Sequence, residues 1–297
     1  MISIRDLIAT SNSNVRAQAE IERDRRVRAV YDKYPDLEQI DNDIVSARTT
    51  RFIAVIDNNE VEIKHSTNLE KQLLDKRNRF MARNDIPDTF DEERVVCSRC
   101  NDTGFFTNKS GMKQVCPCRA DDIEESYRLS GIGDFSTIKI ESYKDDHFGN
   151  KSQRLAIRRS LLECIMGKKS GNNPLMIYSD GIQTGKTFLS IYALKLAINL
   201  GYSVYYLRLD DLSDMDEEDI DDLKDVDILV IDNYIAGMTM TGSIGTKLSS
   251  ILETRQAREK STVIVTSFPV KTLIDDSDAR VSGKIKKAFV IGGKSSK

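Results

Sequence analysis

The sequence predicts an α/β protein: a parallel sheet with helices on both faces, preceded by a helical N-terminal region and a small four-cysteine module. Three observations predict it. Beyond residue 150, short apolar runs alternate with helix-length segments, the pattern of strands buried on both faces. Before residue 95 the chain is polar, with apolar residues at helical spacing. Between these regions, four of the five cysteines fall within 22 residues.

Composition sets the outer bounds. A length of 297 residues leaves room for two domains at roughly 100–200 residues each. With 39% apolar and 31% charged residues, the chain can bury a core and is not of the disordered class. No run approaches the ~18–20 apolar residues of a membrane helix, and the start, MISIRDLIATSNSNVRAQ, lacks a basic segment leading into an apolar one. A cytoplasmic protein with no membrane partner is expected.

The net charge of −3 argues against a protein that coats nucleic acid, but it hides an asymmetry. Residues 151–208 carry nine Lys/Arg against two acids, 209–227 carry eleven acids and one Lys, and 280–297 carry six Lys/Arg and no acid. A basic face can attract phosphates whatever the total. Solvated faces with no partner explain any single run equally well.

The elements follow in chain order. Residues 1–95 read as a helical region. Leu37, Ile40, Ile44 and Val45 recur at the spacing of one helix face after a Pro35-Asp36 start. A second helix is expected from Thr67, where Thr67 and Glu70 have the spacing of a capping box, with a stripe of Leu69, Leu73, Leu74, Phe80 and Met81. The run VIDNNEVEI between them reads as a turn or as continued helix. Thin stripes with charged flanks suit a small bundle or a face offered to a partner.

Residues 96–119 form the cysteine module. Cys97 and Cys100, then Cys116 and Cys118, are separated by 15 residues. In a reducing compartment such clustering favours metal over disulfides. Two close pairs can complete a closed tetrahedral thiolate site, so Zn²⁺ is expected to fold the segment rather than catalyse. A [4Fe–4S] cluster takes the same ligands, whereas a redox CxxC would not need the second pair. Cys164, within LLECIM, reads as a small core residue, and His65 and His147 read as surface or loop residues.

Residues 120–150 read as a linker with a short strand at Ser136–Ile140, and residues 151–297 as the α/β domain. Its expected order is a helix near Lys151–Gly167, the strand PLMIYSD, a glycine loop, the helix TFLSIYALKLAINLG, the strands SVYYLRL and DILVIDN, a helix near Gly245–Lys260, and the strands STVIVTSF and KAFVIGG.

The glycine loop carries the sharpest chemistry. Gly181, Ile182, Gln183, Thr184, Gly185, Lys186 and Thr187 stand where a strand gives way to a helix. There, loop amides and the helix N-terminus point at a phosphate. Lys186 can reach the β- and γ-phosphates of ATP, and the Thr187 hydroxyl can ligate Mg²⁺. The full motif has one more Gly at position 180, where this chain has Asp180. Ile228-Leu229-Val230-Ile231 forms a buried strand that ends at Asp232, which can hold the Mg²⁺ hydration shell. Ligands of such sheets bind at the strand C-termini, so Asp232 and the loop can face one nucleotide. Asn233 follows where many ATPases place a Glu. An amide orients water but is a poor proton acceptor, so ATP binding is expected more firmly than rapid hydrolysis to ADP.

Polar helices, a CSRCNDTG…CPCR knuckle and a short phosphate-loop module, in that order, resemble the bacterial and phage replicative-helicase loaders of the DnaC/DnaI type over essentially the whole chain. The resemblance implies a P-loop AAA+ core with no C-terminal lid and an N-terminal region that grips a hexameric replicative DNA helicase. It also implies a core that contacts single-stranded DNA and self-associates. STVIVTSF is similar to the family's sensor strand, with Phe268 at the usual polar position and Thr266 and Ser267 as substitutes. Asp278–Ile285 is similar to the arginine-finger helix, with Arg280 matching its first Arg and Lys284 replacing the second. Lysine supplies charge without the bidentate fork. The catalytic set thus implied is Asp232, Asn233, Thr266, Arg280 and Lys284, with Arg154, Arg158, Arg159, Lys168 and Lys169 as candidates for a DNA face. Two other readings compete: a transposition helper ATPase of the IstB type, which is expected to carry a different N-terminal module, and a non-hydrolysing zinc adaptor that binds the helicase. Capture of a host helicase rather than its loading fits the same residues.

Overall fold

The computed structural model describes residues 2–135, 137–138, 159, 163, 175–179, 185–237 and 242–293. The helix expected at Lys151–Gly167 lies outside them apart from Arg159 and Glu163, as do Cys164, His147 and Gly181–Thr184. Of the strand expected at Ser136–Ile140 only Thr137 and Ile138 are described, and neither is in a strand. The chain divides into two compact units: Asn12–Asp102, and Met1–Ser11 with Thr103–Lys297.

The first unit is helical. It contains most of α1 (Ile4–Lys33), then α2 (Pro35–Ile56) and α3 (Glu60–Arg83). Pro35 opens α2 at a position whose N–H would lack a helical partner in any case. Leu37, Met81 and Phe90 are buried together, flanked by Val27, Val30, Tyr31, Tyr34, Phe80 and Ile86. Arg77 closes this core with hydrogen bonds to Asp41 (2.6 Å) and Asp91 (2.7 Å), and the Tyr31 hydroxyl donates to Asp41 (2.8 Å).

One open alternative for this unit is settled and two expectations are corrected. The run VIDNNEVEI is a turn at Asp57–Asn59, where Asn58 takes φ +51°. Next, α3 starts at Glu60 rather than Thr67, because the Asn59 side chain accepts from the Glu62 amide (3.2 Å) and caps the helix first. Thr67 instead donates to the Ile63 carbonyl (2.6 Å), and Glu70 is drawn to Arg48 and Arg51 on α2. Finally, Val45 and Leu69 are exposed, so the buried stripe of α2 runs through Leu37, Ile40, Ile44, Ala47 and Ala54.

The second unit holds the sheet. Its first local structure is an antiparallel hairpin, β1 (Phe105–Thr107) and β2 (Lys113–Val115). Helix α4 (Ala120–Leu129) and a 3₁₀ turn at Gly133–Phe135 follow. The backbone beyond this turn is held by Lys195, whose Nζ donates to the carbonyls of Phe135 (2.8 Å) and Ile138 (2.6 Å).

The sheet is all parallel, in the order β4-β5-β6-β3-β7. These strands are β3 (Leu175–Ser179), β4 (Val204–Arg208), β5 (Ile228–Tyr234), β6 (Ser261–Thr266) and β7 (Phe289–Gly293). Successive residues alternate between two cores. Ile177, Val230, Val263 and Val265 face one with Leu189, Leu194 and Ile198, while Met176, Leu229, Ile231 and Ile264 face the other with Leu248, Ile251 and Leu252. Burial on both faces explains why these strands read as unbroken apolar runs. From β3 the chain crosses to β4 on one side and comes back to β7 on the other. The crevice beyond the C-terminal end of β3 is therefore a topological switch point, where open α/β sheets bind ligands.

Two polar anchors hold the far edge of the sheet. Arg255, at the end of the helix Ser243–Ala257, is fully buried. Its guanidinium donates to Thr262 Oγ1 (2.9 Å) and to the carbonyls of Leu223 (2.8 Å), Val226 (2.7 Å), Asp227 (3.4 Å) and Ser261. Asp227 accepts from the Ser203 amide (3.0 Å), the Ser203 hydroxyl (2.9 Å) and Lys260 Nζ (2.9 Å). Burial alone would raise the Asp227 carboxyl, but Lys260 and the Ser203 donors outweigh it and hold it below its ordinary value. A depressed carboxyl stabilises the fold above the unfolded-state value of about 3.9 and loses that contribution as pH falls through the folded value. Asp227→Asn is accordingly expected to lower the melting temperature at pH 7, and by less at pH 3. An equal deficit at both pH values contradicts the assignment.

Candidate nucleotide site and four-thiol module

A cavity of about 770 Å³ opens at the switch point, within the size range of small-molecule sites. Lys186, Thr187, Tyr206, Arg208, Asp232, Asn233, Thr266, Ser267, Phe268 and Phe135 are among the residues that line it. Gly185 sits immediately before the helix Lys186–Asn199 with φ +82°, a backbone state that glycine adopts without strain. The helix therefore begins at the cavity, and Lys186 and Thr187 occupy its first turn.

Thr187 and Asp232 meet directly: the threonine hydroxyl donates to Asp232 Oδ2 at 2.7 Å. The Tyr206 hydroxyl donates to the same oxygen at 2.8 Å, and the Asn233 amide donates to Oδ1 at 2.7 Å. Asp232 is only 7% exposed, so these donors replace water around its charge. Burial pushes the Lys186 ammonium below its ordinary pKa, and the nearby Asp232 carboxylate offsets part of that. Burial together with the Asp232 charge and hydrogen bond pushes the Tyr206 phenol far up, so it is a neutral donor. A hydroxyl and a carboxylate are hard oxygen donors of the kind Mg²⁺ takes, and a lysine at a helix N-terminus suits phosphate.

The backbone gives a reason for Asn233. The β5 register shifts between Ile231 and Tyr234, and Asn233 takes φ +59°. Asparagine tolerates this left-handed state better than most residues. Its side chain lies 3.5 Å from Asp210, which is ion-paired to Arg208 (2.6 Å). Arg208 was not singled out from the sequence, since a single Arg ending a strand carries no motif. Thr266 lines the cavity, but its hydroxyl is engaged with the backbone, donating to the Tyr234 carbonyl (2.7 Å) and accepting from the Phe268 amide (3.0 Å). The neighbouring Ser267 is exposed.

Arg280 and Lys284 stand apart from that lining. Both are on the short helix Ala279–Ile285, capped by Asp278, which accepts from the Arg280 amide (2.9 Å) and lies 3.2 Å from its guanidinium. Lys284 Nζ donates to Gln256 (2.9 Å). Of the basic residues read as a DNA face, only Arg159 is described, and it pairs with Glu163 at 2.8 Å.

The four cysteines come together, with their sulfur atoms all within 4.8 Å of one another. Local turns bring this about. Asp102 accepts from the amides of Val96 (2.9 Å) and Cys97 (2.8 Å), while Asn101 and Asp102 both take positive φ. The Cys116 amide donates to the Gly104 carbonyl (2.8 Å) at the open end of the β1–β2 hairpin. Four thiols at this separation can hold one tetrahedral Zn²⁺.

No family model and no curated protein matches the sequence. Solved structures do resemble the fold. AMPPCP-bound DnaA from Aquifex aeolicus matches with a TM-score of 0.45 and 22% identity, over 53% of this chain and 50% of DnaA. DnaI matches with a TM-score of 0.41 and 20% identity, over 48% of this chain and 86% of that one. The DnaC helicase loader matches with a TM-score of 0.43 and 18% identity, over 54% of this chain and 99% of that one.

Proposed function

We propose that this chain is an ATP-binding helicase loader of DNA replication. In this reading the cavity takes ATP with Mg²⁺: Lys186 meets the β- and γ-phosphates, Thr187 ligates the cation and Asp232 holds its hydration shell. The observation that carries the reading is the direct hydrogen bond between Thr187 and Asp232 in a cavity also lined by Lys186. A phosphate-loop threonine and a strand-end aspartate need that closeness to share one cation.

The remaining roles extend from the family resemblance. The helical region binds a hexameric replicative helicase, Zn²⁺ on the four thiols folds the knuckle, and the α/β core contacts single-stranded DNA. Copies of the chain associate through bound nucleotide, with the exposed Arg280 offered to the γ-phosphate of a neighbour. Asn233 suits slow turnover, because its amide can orient a water molecule without accepting its proton.

Lys186→Ala tests the nucleotide site. Losing a charge-assisted contact costs about 1.5–3 kcal/mol, so affinity for ATP·Mg²⁺ is expected to fall roughly 10- to 100-fold. Equal weak binding by wild type and variant removes the site. Pull-downs against a hexameric replicative helicase and a transposase separate loader from transposition helper. If Lys186→Ala keeps the helicase complex and loads it normally, the chain is an adaptor.

A further inference from the structure

We infer that Tyr206 is a positioning residue of this metal–phosphate site, acting through Asp232. The inference rests on the ATP·Mg²⁺ reading and adds to it a residue that belongs to neither the phosphate loop nor the aspartate strand. Tyr206 pairs in register with Val230, two residues before Asp232. Two residues of strand advance roughly 6.6 Å, and the length of a tyrosine side chain spans that gap. Its hydroxyl therefore emerges at the level of the carboxylate rather than beside its own register partner. A phenylalanine here would fill the same space without reaching the charge.

The ring is held from several sides. Tyr206 is 8% exposed and stands edge-on to Phe135, with centroids 5.6 Å apart at 74°. Its amide donates to the Ser130 carbonyl (2.9 Å), and a Cβ on Gly131 would come within 2.5 Å of its carbonyl oxygen. The hydroxyl is thus delivered to Asp232 Oδ2 from a fixed direction.

A carboxylate offers about four acceptor sites. Tyr206, Thr187 and the Asn233 amide use three of those on Asp232. A Thr187 hydroxyl that gives its proton to Asp232 turns its lone pairs elsewhere, toward a cation, for as long as the carboxylate keeps its orientation. Among the described residues, Tyr206 is the one side-chain donor on Oδ2 that comes from neither the phosphate loop nor its helix. Partners that orient a ligating group in this way typically change metal affinity 10- to 100-fold when removed. A purely structural tyrosine, one whose hydroxyl merely needs a buried partner, has no such selective effect.

Tyr206→Phe keeps the ring and removes the hydroxyl. Equilibrium binding of ATP is measured for wild type, Tyr206→Phe and Lys186→Ala, each in Mg²⁺ and in EDTA, with thermal melts alongside. The expected result is that Tyr206→Phe weakens binding about ten-fold in Mg²⁺ and less than about two-fold in EDTA, while Lys186→Ala weakens both. An unchanged Mg²⁺-to-EDTA ratio in Tyr206→Phe overturns the inference, whether or not the melting temperature falls. If wild type binds no better than Lys186→Ala in either condition, the ATP reading itself fails and the role of Tyr206 goes with it.

Discussion

Removing metal from the four-thiol module is expected to unfold residues 97–118 locally. Val115 and Phe105 pack on the sheet core, but a CxxC turn, a three-residue strand pair and a C-x-C turn bury too little apolar surface among themselves to fix the two cysteine turns unaided. Binding to structural zinc sites contributes on the order of 10–16 kcal/mol in isolated finger peptides, and that free energy is folding free energy. Elemental analysis should find one zinc per chain, lost in the Cys97→Ser/Cys100→Ser variant. Hydrogen exchange should then show the Phe105–Thr107 and Lys113–Val115 amides losing protection, while β5 and β6 keep theirs. A metal-free protein that exchanges these amides as slowly as before would refute a folding role. Visible iron–sulfur absorbance would instead identify the other metal these ligands accept.

The second large effect is expected at Arg255. Its side chain fills a fully buried position and donates five hydrogen bonds, four to main-chain carbonyls at Leu223, Val226, Asp227 and Ser261 and one to Thr262. Arg255→Ala removes these five hydrogen bonds, although the Asp227 carbonyl keeps the Ser261 amide as a donor (3.1 Å), and opens a cavity. Each unsatisfied buried acceptor costs about 1–3 kcal/mol, and breaking a buried charged network typically costs about 3–5 kcal/mol. Denaturant unfolding should register a loss in that range with an unchanged m-value. Arg255→Lys should recover only part of it, since three donors on a point charge cannot match a planar fork. A loss below about 1 kcal/mol would mean that water replaces the guanidinium at little cost.

Arg255 also marks where reading from sequence stops. An arginine in the last turn of a helix is ordinary, and its acceptors come from residues 223–227 and 261–262. No local pattern announces such a meeting. Tyr206 was hidden for a similar reason, as one aromatic in a strand where aromatics are common. The β1 and β2 strands were hidden by length, since three residues cannot establish a period. Two capping signals lie close together before α3, Asn59 and Thr67, and the earlier one closes on Glu62 and sets the start.

What was legible had physical redundancy. The sheet strands announced themselves because both faces are buried, so every residue in ILVI or STVIV had to be apolar or small. The closeness of Thr187 to Asp232 was legible because Thr187 opens the helix that follows one strand and Asp232 lies toward the C-terminal end of another, and a parallel sheet gathers those ends on one side. The cysteine spacing likewise restricted the chain to turns that converge. That an amide, Asn233, follows the strand aspartate was legible. That the backbone there takes φ +59° was not.

One packing detail bears on how the molecule can be cut. Ile4 and Ile8, which are 0% and 1% exposed, belong to the same core as Val115, Ile132, Leu194 and Ile198, and Ile8 presses so closely on Gly104 that a Cβ there would come within 2.4 Å of it. A fragment that begins at residue 103 therefore leaves two of its own core side chains behind on the discarded piece. Expression trials of the α/β unit should graft residues 2–11 back through a flexible tether, or expect a protein that clumps through the gap they vacate.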